Sequence, residues 1–205
     1  RKGKKRTVGG KKGVKGDNNS QDTFNGMADV AIAKNGDFFI ADGEGPNTRV
    51  VKFDKDGKFI KWWGGKGKEP GQFDQPHSIA IDSKGLLYVG DRSNDRIQVF
   101  DQNGKFIDQF STGKPSTPQV LLLTQDKHLW IADNETSKIV KYDLEGHYLY
   151  SWGSGGQWPG AMWNVHGMSV ETEGNLYLAQ VNNGWPTKFK PRAGANPDFL
   201  VGQPM

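Results

Sequence analysis

The sequence predicts an all-β protein of the β-propeller class, and three observations support this prediction. The stretch from Pro70 to Gln109 contains four short apolar runs separated by turn signals such as Asn103-Gly104, which is typical of antiparallel hairpins. Similar segments lie on both sides, and the residue closing their second run recurs in steps of 49, 42 and 47, at Asp42, Asp91, Asp133 and Gln180. A four-strand unit of this size is too small to bury its own faces, so such units stack sideways as blades.

The predicted blades span residues 26–65, 75–112, 117–155 and 164–204 of one propeller domain. Residues 1–25 are expected to form the outer strand of a preceding blade plus the link into the first one, because the stretch from Arg6 to Gly10 resembles Lys61 to Gly65. Four complete blades and one orphan strand do not close a ring comfortably. The prediction is therefore the C-terminal part of a six-bladed propeller, and a closed four-bladed ring is the alternative.

Composition and charge limit the classes of partner. The 205 residues contain no Cys, which excludes disulfides and thiolate metal sites, and no apolar run is long enough to predict a membrane span. Residues 1–16 hold eight basic residues and no acid, whereas the remainder has 19 basic and 23 acidic residues, a net charge of −4. The basic arm suits either phosphate binding or a solvated strand and loop. The acidic remainder argues against a nucleic-acid partner.

Two of the four histidines carry the most information. His77 and His166 each start a predicted innermost strand, in P-H-S-I-A-I and V-H-G-M-S-V, and the corresponding positions of the other blades are Ala28 and roughly Pro118. Innermost strands of a propeller line its channel, so histidines in alternate blades of a six-bladed ring predict a zinc site completed by a third histidine upstream of this chain. The alternative is two histidines hydrogen-bonded to channel waters or loop carbonyls.

The pattern F-x-x-P-H-S-I-A-x-D-x-x-G-x-x-Y-V-x-D-R-x-N-x-R-I-Q-V-F resembles NHL repeats. More narrowly, the chain from Phe24 to about Phe189 resembles bacterial proteins similar to peptidyl-α-hydroxyglycine α-amidating lyase. This resemblance implies a six-bladed propeller with zinc on three channel histidines and a structural calcium deeper in the channel. It implies a reaction that splits a peptidyl hydroxyglycine into a peptide amide and glyoxylate. It also implies a periplasmic or secreted protein, whose signal region is not present in this chain.

Carried over residue by residue, the resemblance makes His77 and His166 the second and third zinc ligands. Arg92, which directly follows Asp91, matches a substrate-binding arginine whose guanidinium could hold a carboxylate. The alternative is that Arg92 pairs with a neighbouring loop acid. Glu44 stands where the family has a tyrosine proposed as the catalytic base, and Glu44 could take this role if burial raised its pKa.

Other departures leave the reaction open. Asn164 replaces a family methionine, and Gly167 replaces an acid. Three tryptophans are predicted either to rim the channel face and stack on a ligand or to pack between blades: Trp158, Trp163 and Trp185. The sequence thus favours a metal-bearing, lyase-like propeller that binds a small peptide-like or hydroxy-acid ligand. The alternatives are a non-catalytic scaffold for a protein or glycan partner and an RNA-binding NHL module.

Overall fold

The computed structural model describes residues 13–205, so the orphan strand predicted within residues 1–10 lies outside the described part. The chain divides into two compact units. The first contains blade 1 and most of blade 2, and the second contains the remainder of blade 2 with blades 3 and 4. Among the described residues, no helix combines the length and apolar character that crossing a bilayer requires.

Blades 1 and 2 are four-stranded antiparallel meanders, as the alternation of apolar runs and turns predicts. In each blade, strands that are consecutive in the chain are neighbours in the sheet. A short 3-10 helix, Arg92–Asn94, follows the second strand of blade 2. The strands of blade 1 are β1 (Met27–Ile32), β2 (Phe38–Asp42), β3 (Arg49–Phe53) and β4 (Phe59–Gly64), and those of blade 2 are β5 (Pro76–Ile81), β6 (Leu87–Asp91), β7 (Arg96–Phe100) and β8 (Phe106–Ser111).

Blade 3 is also four-stranded, whereas blade 4 has three strands. A fourth strand was expected within the predicted blade of residues 164–204, but Pro197–Phe199 form a 3-10 helix near its end, capped by Asn196, whose side chain accepts from the Asp198 N–H. The proline at the start of this turn and the Asn196 cap favour the tight turn over an extended strand, which explains the difference. The strands are β9 (Pro118–Leu123), β10 (His128–Asp133), β11 (Lys138–Asp143), β12 (Tyr148–Trp152), β13 (Val165–Val170), β14 (Leu176–Gln180) and β15 (Pro186–Phe189).

The turn between the third and fourth strands is the same in blades 1 to 3. One carboxylate oxygen of Asp54 accepts from the backbone N–H groups of Asp56 and Lys58, both at 2.9 Å, and Asp101 and Asp143 repeat this arrangement. A glycine with positive φ follows each time, as Gly57 shows with a φ of 83°. The Asp54-Lys55-Asp56-Gly57 stretch is therefore a hairpin turn, as its repetition in the sequence predicts.

Each unit is stabilised by its own apolar core. The core of the first unit is rich in aromatic rings and includes Phe39, Trp63, Phe73 and Phe100. That of the second unit is centred on Trp130, Ile139, Met162, Leu178 and Val201. Burying one such side chain contributes about 1.5–3 kcal/mol. These cores fix the inner strands and therefore the loops that follow them.

The residue that closes the second strand ties each blade to the link in front of it. Its side chain accepts a hydrogen bond from a backbone N–H 16 or 17 residues earlier. We call this arrangement the clasp. The four clasps run from Asn25 to Asp42, from Asp74 to Asp91, from Thr117 to Asp133 and from Trp163 to Gln180, at 3.1, 2.7, 3.1 and 2.6 Å.

The blade 1 clasp also contains an ion pair. Asp42 Oδ2 accepts from Arg49 Nε at 2.9 Å, and both side chains are fully buried. The rest of the Arg49 guanidinium donates to the carbonyls of Asn18, Ser20 and Thr23. A buried charge is tolerated when it is paired and its donors are satisfied. The blade 1 clasp thus fixes the link at residues 18–23 as well as the loop after β2.

Candidate functional site

Every blade carries a β-bulge near the start of its first strand. In blade 2, Pro76 is opposite Asp91 and Ser78 is opposite Gly90, so His77 is the extra residue of the bulge. Ala28, Gln119 and His166 are the extra residues of the same register shift in the other blades. A bulged residue points its side chain away from the regular pleat, and such residues are frequent next to functional sites.

The register corrects two sequence-based expectations. Gln119, and not the neighbouring Pro118, is the blade 3 residue equivalent to His77. His77 and His166 are each the second residue of their strand instead of the first. The displacement at blade 3 has a physical cause, because a bulge inserts an extra residue that a period-two pattern does not reveal. The histidines come second because each strand begins one residue earlier than expected.

The β2–β3 loop brings Glu44 close to His77. The backbone N–H groups of Gly43 and Glu44 both donate to the Gly26 carbonyl, at 3.0 and 2.8 Å. This approach requires glycine on both sides, because a Cβ on Gly26 would lie 2.1 Å from the Gly45 nitrogen and one on Gly45 would lie 2.0 Å from the Asn25 oxygen. The loop after β2 is thereby held against the start of β1.

Glu44 contacts two of the residues that the sequence singled out. Its Oε2 lies 2.6 Å from His77 Nε2 and 3.5 Å from Arg92 Nη1. The His77 residue is only 6% exposed, whereas the Glu44 and Arg92 side chains are 46% and 23% exposed. The structure thus joins three predicted site residues, and Arg92 does pair with a neighbouring loop acid. The burial on which the proposed role of Glu44 depended is not found.

A second carboxylate, Asp29, was not identified from the sequence. Its Oδ2 accepts from the Ile79 N–H at 3.0 Å and its Oδ1 accepts from the Val30 N–H at 2.8 Å. Burial raises the pKa of Asp29 above its ordinary value, and the backbone hydrogen bonds and His77 partly oppose this rise. Its signal in the sequence was a lone acid in the apolar strand M-A-D-V-A-I. His77 therefore lies in the field of two carboxylates.

His166 has different surroundings, in the second unit. Its side chain is exposed, and the Gln119 amide Nε2 lies 2.8 Å from its Nε2. Gln119 itself is buried. Two bulge residues of the second unit therefore meet each other, through an uncharged amide and an imidazole.

The predicted rim residues also belong to the second unit. Asn164 has a φ of 57°, and it joins a chain of amides, accepting from Asn134 at 2.6 Å and donating to Asn182 at 3.2 Å. Trp158, Trp163 and Trp185 are 56%, 40% and 53% exposed. The tryptophans thus lie at the surface of the second unit, where a ligand could reach them.

The described residues do not complete a metal site. Within residues 13–205, no group of three His, Cys, Asp or Glu side chains is arranged to hold an ion. His77 Nε2 is instead directed at Glu44. The zinc and the calcium that the resemblance implies therefore stay predictions.

Comparison with known proteins identifies the repeat. The family model described as NHL repeat matches residues 73–100, which contain β5, β6, β7 and the predicted site residues His77 and Arg92. The chain contains an NHL repeat. NHL repeat-containing protein 3 of Homo sapiens is 34% identical over 84 residues, 40% of this chain and 24% of that protein. A probable peptidyl-alpha-hydroxyglycine alpha-amidating lyase of Caenorhabditis elegans is 28% identical over 162 residues, 75% of this chain and 46% of that protein.

The chain therefore spans less than half the length of these curated relatives. Both are animal proteins, so the bacterial source implied by the resemblance is not supported by them. Among solved structures, a catalytically inactive virginiamycin B lyase from Staphylococcus aureus, with quinupristin, matches with a TM-score of 0.61 at 17% identity, covering 85% of this chain and 57% of that one. This likeness shows the fold alone. The NHL repeat and the four blades agree with an all-β propeller protein.

Proposed function

We propose that this chain belongs to a lyase-like propeller in which the loops of blades 1 and 2 bind the carboxylate of a small peptide-like or hydroxy-acid ligand. One observation supports this most: the Glu44 carboxylate contacts both the His77 imidazole, at 2.6 Å, and the Arg92 guanidinium, at 3.5 Å. An acid, an imidazole and a forked cation are the groups that proton transfer from a carboxylate-bearing substrate needs. The relationship to amidating enzymes agrees with this chemistry.

In this proposal each residue has a stated part. Arg92 holds the ligand carboxylate through its guanidinium. His77 orients Glu44 through the short contact between Nε2 and Oε2. The bound ligand covers the half-exposed Glu44 side chain, which supplies the burial that the free loop lacks. Glu44 then takes the proton of the substrate hydroxyl, a carbonyl forms at that carbon, the carbon–nitrogen bond breaks, and the amide nitrogen takes up a proton. The products are a peptide amide and an α-keto acid.

A non-catalytic NHL propeller is the second candidate, and one observation favours it. Glu44 already pairs with Arg92, and its side chain is 46% exposed to solvent, which screens its charge. In that case the loops serve as a binding surface for a protein or glycan. The acidic charge of the chain beyond residue 16 keeps RNA a weaker candidate. A periplasmic or secreted location remains part of the first proposal.

The test uses the full chain and a fluorescent tripeptide that ends in α-hydroxyglycine, with glyoxylate release as the readout. We expect Arg92→Lys to raise KM by about tenfold, because a point charge replaces a bidentate fork.

We expect Glu44→Gln to lower kcat by about 10²–10⁴-fold, because it removes the base. The same variant should lower KM, because no carboxylate of the protein then competes with the ligand for Arg92.

Two controls distinguish the candidates. The methyl ester of the same peptide lacks the carboxylate, so its affinity should not respond to Arg92→Lys. Arg192→Lys, in the exposed loop after β15, keeps the total charge and should leave both constants unchanged. Binding of the peptide without glyoxylate release would favour the non-catalytic candidate, and a lack of binding would overturn the proposed ligand class.

A further inference from the structure

Two loops of the second unit contain no charged residue. Residues 153–164 read G-S-G-G-Q-W-P-G-A-M-W-N and residues 181–185 read V-N-N-G-W, whereas 24% of the whole chain is charged. Their polar groups are amides, hydroxyls and indoles. A surface made in this way offers no counter-charge to a charged ligand.

The two loops are joined to each other. The Asn183 side chain donates to the Gly156 carbonyl at 3.3 Å and to Gln180 Oε1 at 2.8 Å, so it bridges both loops to the blade 4 clasp. Asn164 at the end of the first loop donates to Asn182 of the second at 3.2 Å. Asn183 is 7% exposed, so this bridge is a buried element of the fold.

Three indole side chains are exposed on these two joined loops. The Trp158 ring lies so close to Gly156 that a Cβ there would be 2.0 Å from it, which limits where the ring can move. The backbone N–H of Trp163 donates to Gln180 Oε1 at 2.6 Å, which fixes the backbone at this tryptophan. We define the indole–amide patch as Trp158, Trp163, Asn164, Asn182 and Trp185.

We propose that the indole–amide patch binds a neutral carbohydrate. A pyranose ring has an apolar C–H face, which suits an indole surface, and hydroxyl groups that both donate and accept hydrogen bonds. Asparagine amides likewise both donate and accept. Nucleic acids and anionic lipid surfaces carry charges that this patch does not match. A neutral polyhydroxyl ligand is the class that the composition of the patch fits.

This site is separate in chemistry from the Glu44, His77 and Arg92 group. That group contains a carboxylate, an imidazole and a guanidinium and lies in the first unit. The indole–amide patch lies in the second unit and belongs to loops without charge. The two proposals therefore fail independently, because variants of one group leave the other intact.

The experiment measures binding of the full chain to an array of neutral oligosaccharides built from hexose, deoxyhexose and N-acetylhexosamine units. Titration of tryptophan fluorescence with the strongest binder follows. We expect Trp158→Ala and Trp185→Ala each to weaken binding at least about tenfold, as truncation of a central aromatic contact does. Trp158→Phe should recover part of this loss, because it keeps an aromatic face.

Asn164→Asp tests whether neutrality matters. The change keeps size, and aspartate tolerates a positive φ nearly as well as asparagine, but it adds a charge and removes a donor. We expect binding to weaken about tenfold or more. Tyr148→Ala, at an exposed aromatic residue on β12, is the matched control and should bind as the parent does.

Two outcomes would overturn the proposal. One is the absence of binding to every neutral oligosaccharide of the array at millimolar concentration, with the fold intact by circular dichroism. The other is binding that none of the patch variants weakens, which would place the carbohydrate elsewhere.

Discussion

Blade 1 and blade 4 close their second strands at equivalent positions with different chemistry. In blade 1, Asp42 accepts from Asn25 and pairs with the buried Arg49. In blade 4, Gln180 accepts from Trp163, and its amide donates to the Ala161 carbonyl and the Thr187 hydroxyl. Both clasps hold the preceding link. The comparison shows that the clasp requires a side-chain oxygen that accepts from the backbone N–H of the link. It does not require that this oxygen be negatively charged.

The same contrast extends to the bulges. His77 is buried beside Glu44 and in the field of Asp29, whereas His166 is exposed beside the amide of Gln119. An identical residue type at an identical bulge therefore has a charged environment in the first unit and a neutral one in the second. The residue alone does not determine the chemistry of the position, because the loops around it supply the charges.

The largest expected effect concerns the ionic clasp. Arg49→Met should lower the free energy of unfolding by about 3–5 kcal/mol, because it leaves Asp42 as an unpaired buried charge. It also removes the donors to the carbonyls of residues 18, 20 and 23. Urea unfolding followed by tryptophan fluorescence measures this. Lys58→Met, at an exposed position, is the control, and a loss below about 1 kcal/mol for Arg49→Met would mean that the ion pair adds little.

The neutral clasp should matter less. Gln180→Ala removes an amide whose oxygen accepts from Trp163 and Asn183, and we expect a loss of about 1–3 kcal/mol, because buried polar groups are left unsatisfied but no charge is. The measurement is the same urea titration, with exposed Gln157→Ala as its control. If Gln180→Ala cost as much as Arg49→Met, the distinction between ionic and neutral clasps would be wrong.

The smallest expected effect is a pH dependence of the free energy of unfolding, which arises from Asp29 in blade 1. Burial raises the pKa of Asp29 above its ordinary 3.8, so the folded protein binds this proton more tightly than the unfolded chain does. The resulting stabilisation is complete below pH 3.8 and is lost as the pH rises through the folded-state pKa. The Asp29→Asn variant has no carboxyl group at this position and therefore cannot bind this proton.

The stability of the parent relative to Asp29→Asn should therefore fall as the pH rises through that window. Urea unfolding between about pH 3 and 8 checks this. Asp22→Asn, at an exposed residue of the described part, should run parallel to the parent. Parallel curves for Asp29→Asn as well would show that the burial of Asp29 has no energetic consequence.

Much of the fold could be predicted because it depends on local signals. Apolar runs of strand length and Asn-Gly or Asp-x-x-Gly turns determined the four repeated meanders, and their spacing marked the clasp residues. The fourth strand predicted for blade 4 is absent, because Asn196 and Pro197 start a 3-10 turn there instead. Residues 1–10 lie outside the described part, so the preceding blade and the six-bladed ring stay predictions.

The candidate site was predicted only in part. His77, Arg92 and Glu44 were found by motif, and their mutual contacts agree with that choice. Asp29 was missed because its role depends on a hydrogen bond from the backbone N–H of Ile79, which is fifty residues away in the chain. The blade 3 position equivalent to His77 was predicted one residue too early, at Pro118 instead of Gln119, because an alternating sequence pattern does not reveal a bulge. Residue type and spacing reveal candidates, but the charges that surround them depend on how the loops approach.

The bulges have a consequence for how such repeats change over evolution. Ala28, His77, Gln119 and His166 are the extra residues of their bulges. The register of the strands does not depend on the type of side chain there, so a single codon change can replace an amide by an imidazole while the bulge is kept. A propeller of this kind can acquire or lose chemistry blade by blade, and protein engineers could vary the same four positions, with Gln119 and His166 changed together because their side chains are in contact.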